Sequence, residues 1–304
     1  MSRASSLQSR LAMGKFVITA EVTPPLSADR EALLQKARPL KGLVDAVNVT
    51  DAASARAAMS SFASAALLAG EGIEPVLQVT CRDRNRIALA GDLLGAAAQG
   101  VQNMLILHGD DPKGGDQPDA KPVYDLDSRA VMTLAREMAD GGKLPSGREI
   151  ASPPHFFVGC ADMPQNPAPD WEPKGLSAKA DAGASFAQTQ FCYDLEVARA
   201  YFARLADHGI TERLSFIVGI GPIASARGAR WMDENLFGVS IPADVIARME
   251  SAEDERQEGR KICVELMQGL AEIPGISGLH VMAPMQKSEA IAQVVSEAGV
   301  RSPD

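Results

Sequence analysis

Short apolar runs alternate with longer amphipathic stretches along the whole chain. The runs cover residues 16–22, 44–50, 76–80, 103–107, 155–160, 185–191, 214–220 and 278–282. Their length and near-continuous apolar character are those of strands buried on both faces of a parallel sheet. Between them, apolar residues recur at helical spacing, as in Leu33, Leu34, Ala37 and Leu40 or in Leu195, Ala198, Phe202 and Leu205. Helices are predicted over 29–40, from a Ser54 cap to Gly70, over 87–99, from an Asp127 cap to 139, around 176–182, from an Asp194 cap onward, over 223–235, 242–250 and 253–271, and over 286–298. Strand followed by helix, eight times over, predicts a TIM (β/α)8 barrel rather than a doubly wound sheet.

Length is consistent with that pattern. The 304 residues suit a single barrel domain spanning 1–304, with residues 1–14 as an N-terminal extension. That extension has no apolar core of the signal-peptide kind, and no later stretch approaches the ~18 apolar residues of a membrane span, so a cytoplasmic, soluble protein is expected. A formal net charge of −9 opposes sequence-independent binding to nucleic acid. Cys81, Cys160, Cys192 and Cys263 are scattered with no CxxC pair, so they predict neither a disulfide framework nor a metal site and read as small packed residues.

In a TIM barrel, chemistry gathers at the C-terminal ends of the strands. The predicted ends are Glu21, Thr50 with Asp51, Gln78 with Thr80, His108 with Asp110, Cys160, Gln190, Gly219 and Met282. The ring is polar at most positions and carries separate carboxylates suited to acid/base work. The loop over 108–126 far exceeds the roughly two to six residues usual between strand and helix, a length that generally serves a ligand. GxSxG, Walker and GxGxxG motifs are missing, which lowers serine hydrolysis, nucleotide hydrolysis and Rossmann-type hydride transfer. Arg82, Arg84 and Arg86 read as a solvated loop cluster and stay outside the candidate site.

Six segments in order resemble the methylenetetrahydrofolate reductase family: Ala20-Glu21-Val22-Thr23-Pro24-Pro25, Val47-Asn48-Val49-Thr50, Val79-Thr80-Cys81, His108-Gly109-Asp110, Asp181-Ala182-Gly183-Ala184 with Thr189-Gln190-Phe191, and Gly219-Ile220-Gly221-Pro222. The resemblance implies a flavin-bearing barrel that reduces 5,10-methylenetetrahydrofolate to 5-methyltetrahydrofolate, or runs the reverse oxidation in one-carbon catabolism. It makes Glu21 the general acid that opens the imidazolidine ring to an iminium, with hydride coming from reduced flavin N5. Asp110 then lies near flavin and folate, and Gln190 reads the substrate. Flavin contacts carry over onto Thr50, Asp51, Gln78, His108, Gly109, Asp110, Tyr124, Asp125, Ala161, Asn166 and Lys179, with FAD expected rather than FMN.

Val22-Thr23 stand where NADH-using relatives have two phenylalanines, which implies electrons from a partner subunit rather than from free NADH or NADPH. A homo-oligomer is compatible with the resemblance. Two alternatives remain at this point: a folate-binding methyltransferase without flavin, and a folate- or flavin-binding accessory subunit of a redox complex.

Overall fold

Each of the eight apolar runs is a β-strand, and the eight close into a parallel barrel in sequence order. The computed structural model describes residues 5–303. In chain order the elements are α1 (Ser6–Ala12), β1 (Val17–Val22), α2 (Arg30–Ala37), β2 (Ala46–Val49), α3 (Ser61–Gly70), β3 (Pro75–Thr80), α4 (Arg86–Ala98), β4 (Asn103–Leu107), α5 (Ser128–Asp140), β5 (Phe157–Asp162), α6 (Lys174–Ala182), β6 (Phe186–Phe191), α7 (Leu195–Asp207), β7 (Ser215–Ile220), α8 (Ala226–Asn235), α9 (Ala243–Ser251), α10 (Glu255–Ala271), β8 (Ile276–Val281) and α11 (Ser288–Ala298). Asp29, Asn85, Asp127 and Asp194 cap their helices by accepting first-turn N–H groups, which explains why these helices begin where they do.

Alternation along the strands divides the barrel interior into layers. At the N-terminal end, Val17, Ala46, Val76, Leu105, Phe157, Phe186 and Ile217 form an apolar floor. β8 contributes Gly278 there instead, because a Cβ would come within 2.4 Å of the Val17 carbonyl oxygen. Two residues further on, the interior turns polar: Thr19 Oγ1 lies 2.9 Å from His280 Nδ1, and Asn48 Nδ2 donates to Gln188 Oε1 at 2.9 Å. Two more residues reach Glu21, Thr50, Thr80 and Gln190, at the edge of a cavity.

The floor is closed by α1, whose Leu7 and Leu11 are buried in the apolar layer. Arg10 of the same helix pairs with buried Asp45 at 2.7 Å, and Arg301 reaches the same carboxylate at 2.9 Å. Asp45 also accepts from the Ile18 N–H at 2.7 Å, so one acidic side chain ties the first helix, the barrel and the C-terminal segment together. Residues 6–12, counted at first within an extension, are thus part of the barrel's packing.

Two boundaries differ from the sequence reading. The helix expected from Ser54 starts at Ser61, because Ala52, Ser54 and Ala55 hold left-handed φ angles of 49°, 55° and 53° that no α-helix accommodates. β5 runs to Asp162, so Cys160 is a fully buried side chain and Ala161 and Asp162 reach the rim in its place. The cysteines are packed as expected: burial pushes the Cys81 and Cys192 thiols up to about 11 and Cys160 up to about 12.

Candidate active site

A cavity of about 810 Å³ opens at the C-terminal ends of the strands. Glu21, Thr50, Asp51, Gln78, His108, Gly109, Asp110, Ala161, Lys179 and Gln190 all line it. Tyr124, Asp125 and Asn166 lie off its wall. The alternation that builds the floor therefore delivers polar side chains from the ends of β1, β2, β3 and β6 to the mouth.

Glu21 is partly buried near the end of β1. Its Oε2 accepts from Gln78 Nε2 at 3.3 Å and lies 3.8 Å from His280 Nε2. His280 is fully buried, is held through Nδ1 by Thr19, and has no hydrogen-bond partner for Nε2. The carboxyl group is thus flanked by an amide and an imidazole while one side stays open to the cavity. His280 escaped the sequence reading; its only signal was a single polar side chain inside an apolar strand.

Asp110 does two things at once. Its Oδ2 accepts from the Ser54 N–H at 2.7 Å, which helps hold the left-handed 52–55 turn, and its backbone carbonyl accepts from Arg82 Nη1 at 3.2 Å. Gly109, at φ +97°, lets this loop lie on the rim of β3, since a Cβ would stand 3.0 Å from Arg82 Cβ and 3.2 Å from Thr80 Cβ. His108 stacks on Tyr124 with centroids 4.5 Å apart and planes 6° off parallel, so Tyr124 touches the cavity only through His108.

Arg82 and Arg84 prove to be a largely buried brace, whereas Arg86 is exposed as expected and carries an ion pair. Arg84 grips Asp51 at 2.7 and 3.1 Å and reaches Asp92 at 3.1 Å, with its guanidinium 4.9 Å above the Phe62 ring. Asp51 also accepts from the Thr80 N–H and hydroxyl, both at 2.9 Å. Burial works to raise the Asp51 pKa, but Arg84 and the Thr80 donors outweigh it and hold the carboxyl below its ordinary range. Arg82 is buried against Asp83 and the Ala52 carbonyl. Arg86 pairs with Asp125 at 2.8 Å and pushes that carboxyl down to about 2, so Asp125 fastens its loop to the start of α4.

On the opposite wall, Tyr201 donates to Asp162 at 3.0 and 3.1 Å, and burial raises the Asp162 pKa. Lys179 Nζ donates to the Ala161 carbonyl at 2.6 Å. Gln190 Oε1 accepts from the Phe191 N–H at 3.0 Å, and its amide nitrogen has no partner among the described residues. Thr50 Oγ1 is buried in the cavity wall with no hydrogen-bond partner among the described residues. Buried polar atoms are nearly always paired, so this orphan fits a wall that receives a polar ligand. Trp171 and Phe237 add aromatic faces at the mouth.

The sequence profile of the methylenetetrahydrofolate reductase family matches residues 6–299. Among curated relatives, a probable methylenetetrahydrofolate reductase (NADPH) of Caenorhabditis elegans is 25% identical over 249 residues, covering 79% of this chain and 34% of its own. The 5,10-methylenetetrahydrofolate reductase of Escherichia coli K12 is 24% identical over 233 residues, covering 76% of this chain and 72% of its own. The chain spans about a third of the length of the eukaryotic relatives it matches. Among solved structures, a Clostridium thermocellum protein described as binding two copies of 5-methyl-5,6,7,8-tetrahydrofolic acid aligns with a TM-score of 0.64 at 15% identity, over 97% of this chain and 98% of that one. DmoA of Hyphomicrobium sulfonivorans aligns with a TM-score of 0.58 at 11% identity, over 95% and 90%. At these identities the structural likeness is one of fold.

Proposed function

The chain belongs to the methylenetetrahydrofolate reductase family, and from that premise we propose that it interconverts 5,10-methylenetetrahydrofolate and 5-methyltetrahydrofolate with a bound flavin. The observation that carries this reading is the Glu21 carboxyl group, held between Gln78 and His280 and open to a cavity at the catalytic end of the barrel.

Glu21 donates its proton to N10 of the imidazolidine ring. The bond between N10 and the bridging carbon breaks with its electron pair going to N10, and a cationic iminium remains on N5. Asp110, on the cavity wall, places negative charge where that cation develops. The free amide nitrogen of Gln190 donates to the pterin ring, and an amide suits this task because it presents both donors and an acceptor. His280 and Gln78 keep the Glu21 carboxyl oriented while its proton leaves and returns.

The donor set fits a flavin. Thr50 offers an orphaned hydroxyl, Gln78 and Lys179 offer donors on the wall, and Gly109 with His108 shapes the loop that would cover it. When bound, reduced FAD supplies the hydride that turns the iminium carbon into a methyl group. Asp51, with its carboxylate fully engaged, shapes the wall, while Tyr124 supports His108 and Asp125 anchors the loop between them and α5. Asn166 sits on an exposed loop beyond the wall.

We assign electron delivery to a partner subunit, because Val22 and Thr23 put no aromatic ring directly after Glu21. Trp171 and Phe237 do line the mouth, and stopped-flow reduction of the flavin by NADH at a turnover-competent rate would overturn the assignment. None of the helices among the described residues is long and apolar enough to cross a membrane. The function is tested by loading the protein with FAD and assaying 5-methyltetrahydrofolate oxidation with an artificial acceptor. Methyl-group transfer by a colourless protein would instead support the methyltransferase reading.

A further inference from the structure

Two loops of the rim meet across the end of β3: the left-handed turn at 52–55 that follows β2, and the 108–126 loop that follows β4. Two carboxylates of the second loop join them, Asp110 on the Ser54 N–H and Asp116 on the Ala57 N–H. We propose that Asp116 is a positioning residue for Asp110: by gripping the turn at Ala57, it fixes the Ser54 N–H that orients the Asp110 carboxylate at the cavity. The inference rests on the folate reading above, and it adds to that reading the device that aims Asp110.

The turn needs holding from outside. Ala52, Ser54 and Ala55 sit at positive φ, a region that residues with a Cβ enter only at a cost, so contacts from other segments must keep them there. Arg82 Nη2 donates to the Ala52 carbonyl at 3.4 Å. Gly115 packs so closely that a Cβ there would stand 2.0 Å from the Ala55 carbonyl oxygen. Asp116 accepts the Ala57 N–H through both carboxylate oxygens, at 3.0 and 3.2 Å. These are the only hydrogen bonds of the Asp116 carboxylate among the described residues.

What the grip secures is the direction of Asp110. Its Oδ2 is committed to the Ser54 N–H at 2.7 Å, so Oδ1 is the oxygen left for a ligand, and its aim follows wherever the turn holds Ser54. A negative charge that meets a developing cation contributes most when it does not have to reorient first. The spacing between the two aspartates is itself fixed. Pro112 is buried between them, and the Asp111 side chain accepts the Lys113 N–H at 3.0 Å. One loop thus carries the working carboxylate and a second carboxylate that steadies its hydrogen-bond donor.

The test is a double-mutant cycle on kcat/KM for 5-methyltetrahydrofolate oxidation by the FAD-loaded protein, with amide hydrogen exchange of the unloaded protein beside it. Asp116→Ala should lower kcat/KM roughly three- to tenfold, the size expected for a lost hydrogen bond to a carboxylate, and should have no further effect once Asp110→Asn is present. Combined with Gln190→Ala, on the opposite wall, its effect should multiply. Exchange in the peptide covering 52–57 should quicken in Asp116→Ala with no ligand bound. Gly115→Ala keeps the carboxylate but displaces the turn, and should show the same pattern. An Asp116→Ala loss that multiplies equally with Asp110→Asn and Gln190→Ala overturns the inference and leaves the folate reading standing. Unchanged turnover or unchanged exchange in Asp116→Ala does the same. A wild-type protein that does not oxidise 5-methyltetrahydrofolate overturns the folate reading and the inference with it.

Discussion

The two ends of this barrel are built from the same strands, four residues apart along each, and they have opposite chemistry. At the N-terminal end an apolar layer is sealed by α1, buried Asn103 is hydrogen-bonded to Ser5, Glu74 and the Pro75 carbonyl, and Arg10 and Arg301 pair with Asp45. At the C-terminal end, Thr50 Oγ1 and His280 Nε2 are buried without hydrogen-bond partners among the described residues, the Gln190 amide nitrogen is unengaged there, and the left-handed 52–55 turn is tied down by Asp110 and Arg82. The closed end contributes stability, and the open end keeps unmet hydrogen-bonding capacity for a ligand. Substitutions at one end should therefore leave the other end's property unchanged.

The strongest way to sharpen this contrast is Glu21→Gln. General-acid catalysis typically contributes about 10²–10⁴-fold, so turnover should fall by roughly a thousandfold while the thermal midpoint and flavin binding hold. Retained turnover would break the assignment of the open end. Next in size is Asp45→Ala, which leaves Arg10 and Arg301 facing each other without their shared carboxylate. A loss of about 3–5 kcal/mol is expected in chemical denaturation, with turnover per folded molecule unchanged. Leu7→Ala removes one side chain from the sealed floor and should cost about 2–4 kcal/mol in the same assay, again with turnover preserved.

The smallest effect concerns a carboxylate at the open end that behaves like one at the closed end. Arg84 and Thr80 hold the Asp51 pKa below its ordinary value of 3.8, so its contribution to stability is present above that pH and is lost as pH falls through the lowered folded value. The stability difference between wild type and Asp51→Asn, followed by denaturation from pH 7 downward, should be constant to about pH 5 and shrink below pH 4. A difference that grows on acidification would reverse the sign and remove Asp51 from the brace.

Much of the fold was legible because parallel strands buried on both faces announce themselves locally. The apolar run at 103–107 corresponds to β4 residue for residue, and Asp127 and Asp194 cap the helices they were expected to cap. Glu21, Gln78, Asp110 and Gln190 could be placed at one rim once the strands were counted, and they do share one cavity. What escaped was set by partners distant in sequence. His280 reaches Glu21 across the closure between the first and last strands, and Tyr201 on α7 finds Asp162 on β5. Arg84 and Arg86 looked unpaired because their carboxylates lie elsewhere in the chain: Asp51 is 33 residues from Arg84, and Asp125 is 39 residues from Arg86. Helix α1 has only seven residues, too few for periodicity to distinguish a barrel plug from a loose terminus.

The central claim is that the open end holds a flavin beside an acid that works on folate. The most direct measurement is the anaerobic absorbance spectrum of the FAD-loaded protein after addition of 5-methyltetrahydrofolate, with Glu21→Gln as the paired sample. The account predicts bleaching of the flavin band in wild type and an unbleached, still flavin-bound spectrum in Glu21→Gln. A wild-type protein that takes up no FAD, or whose bound flavin stays oxidised with 5-methyltetrahydrofolate, would contradict it.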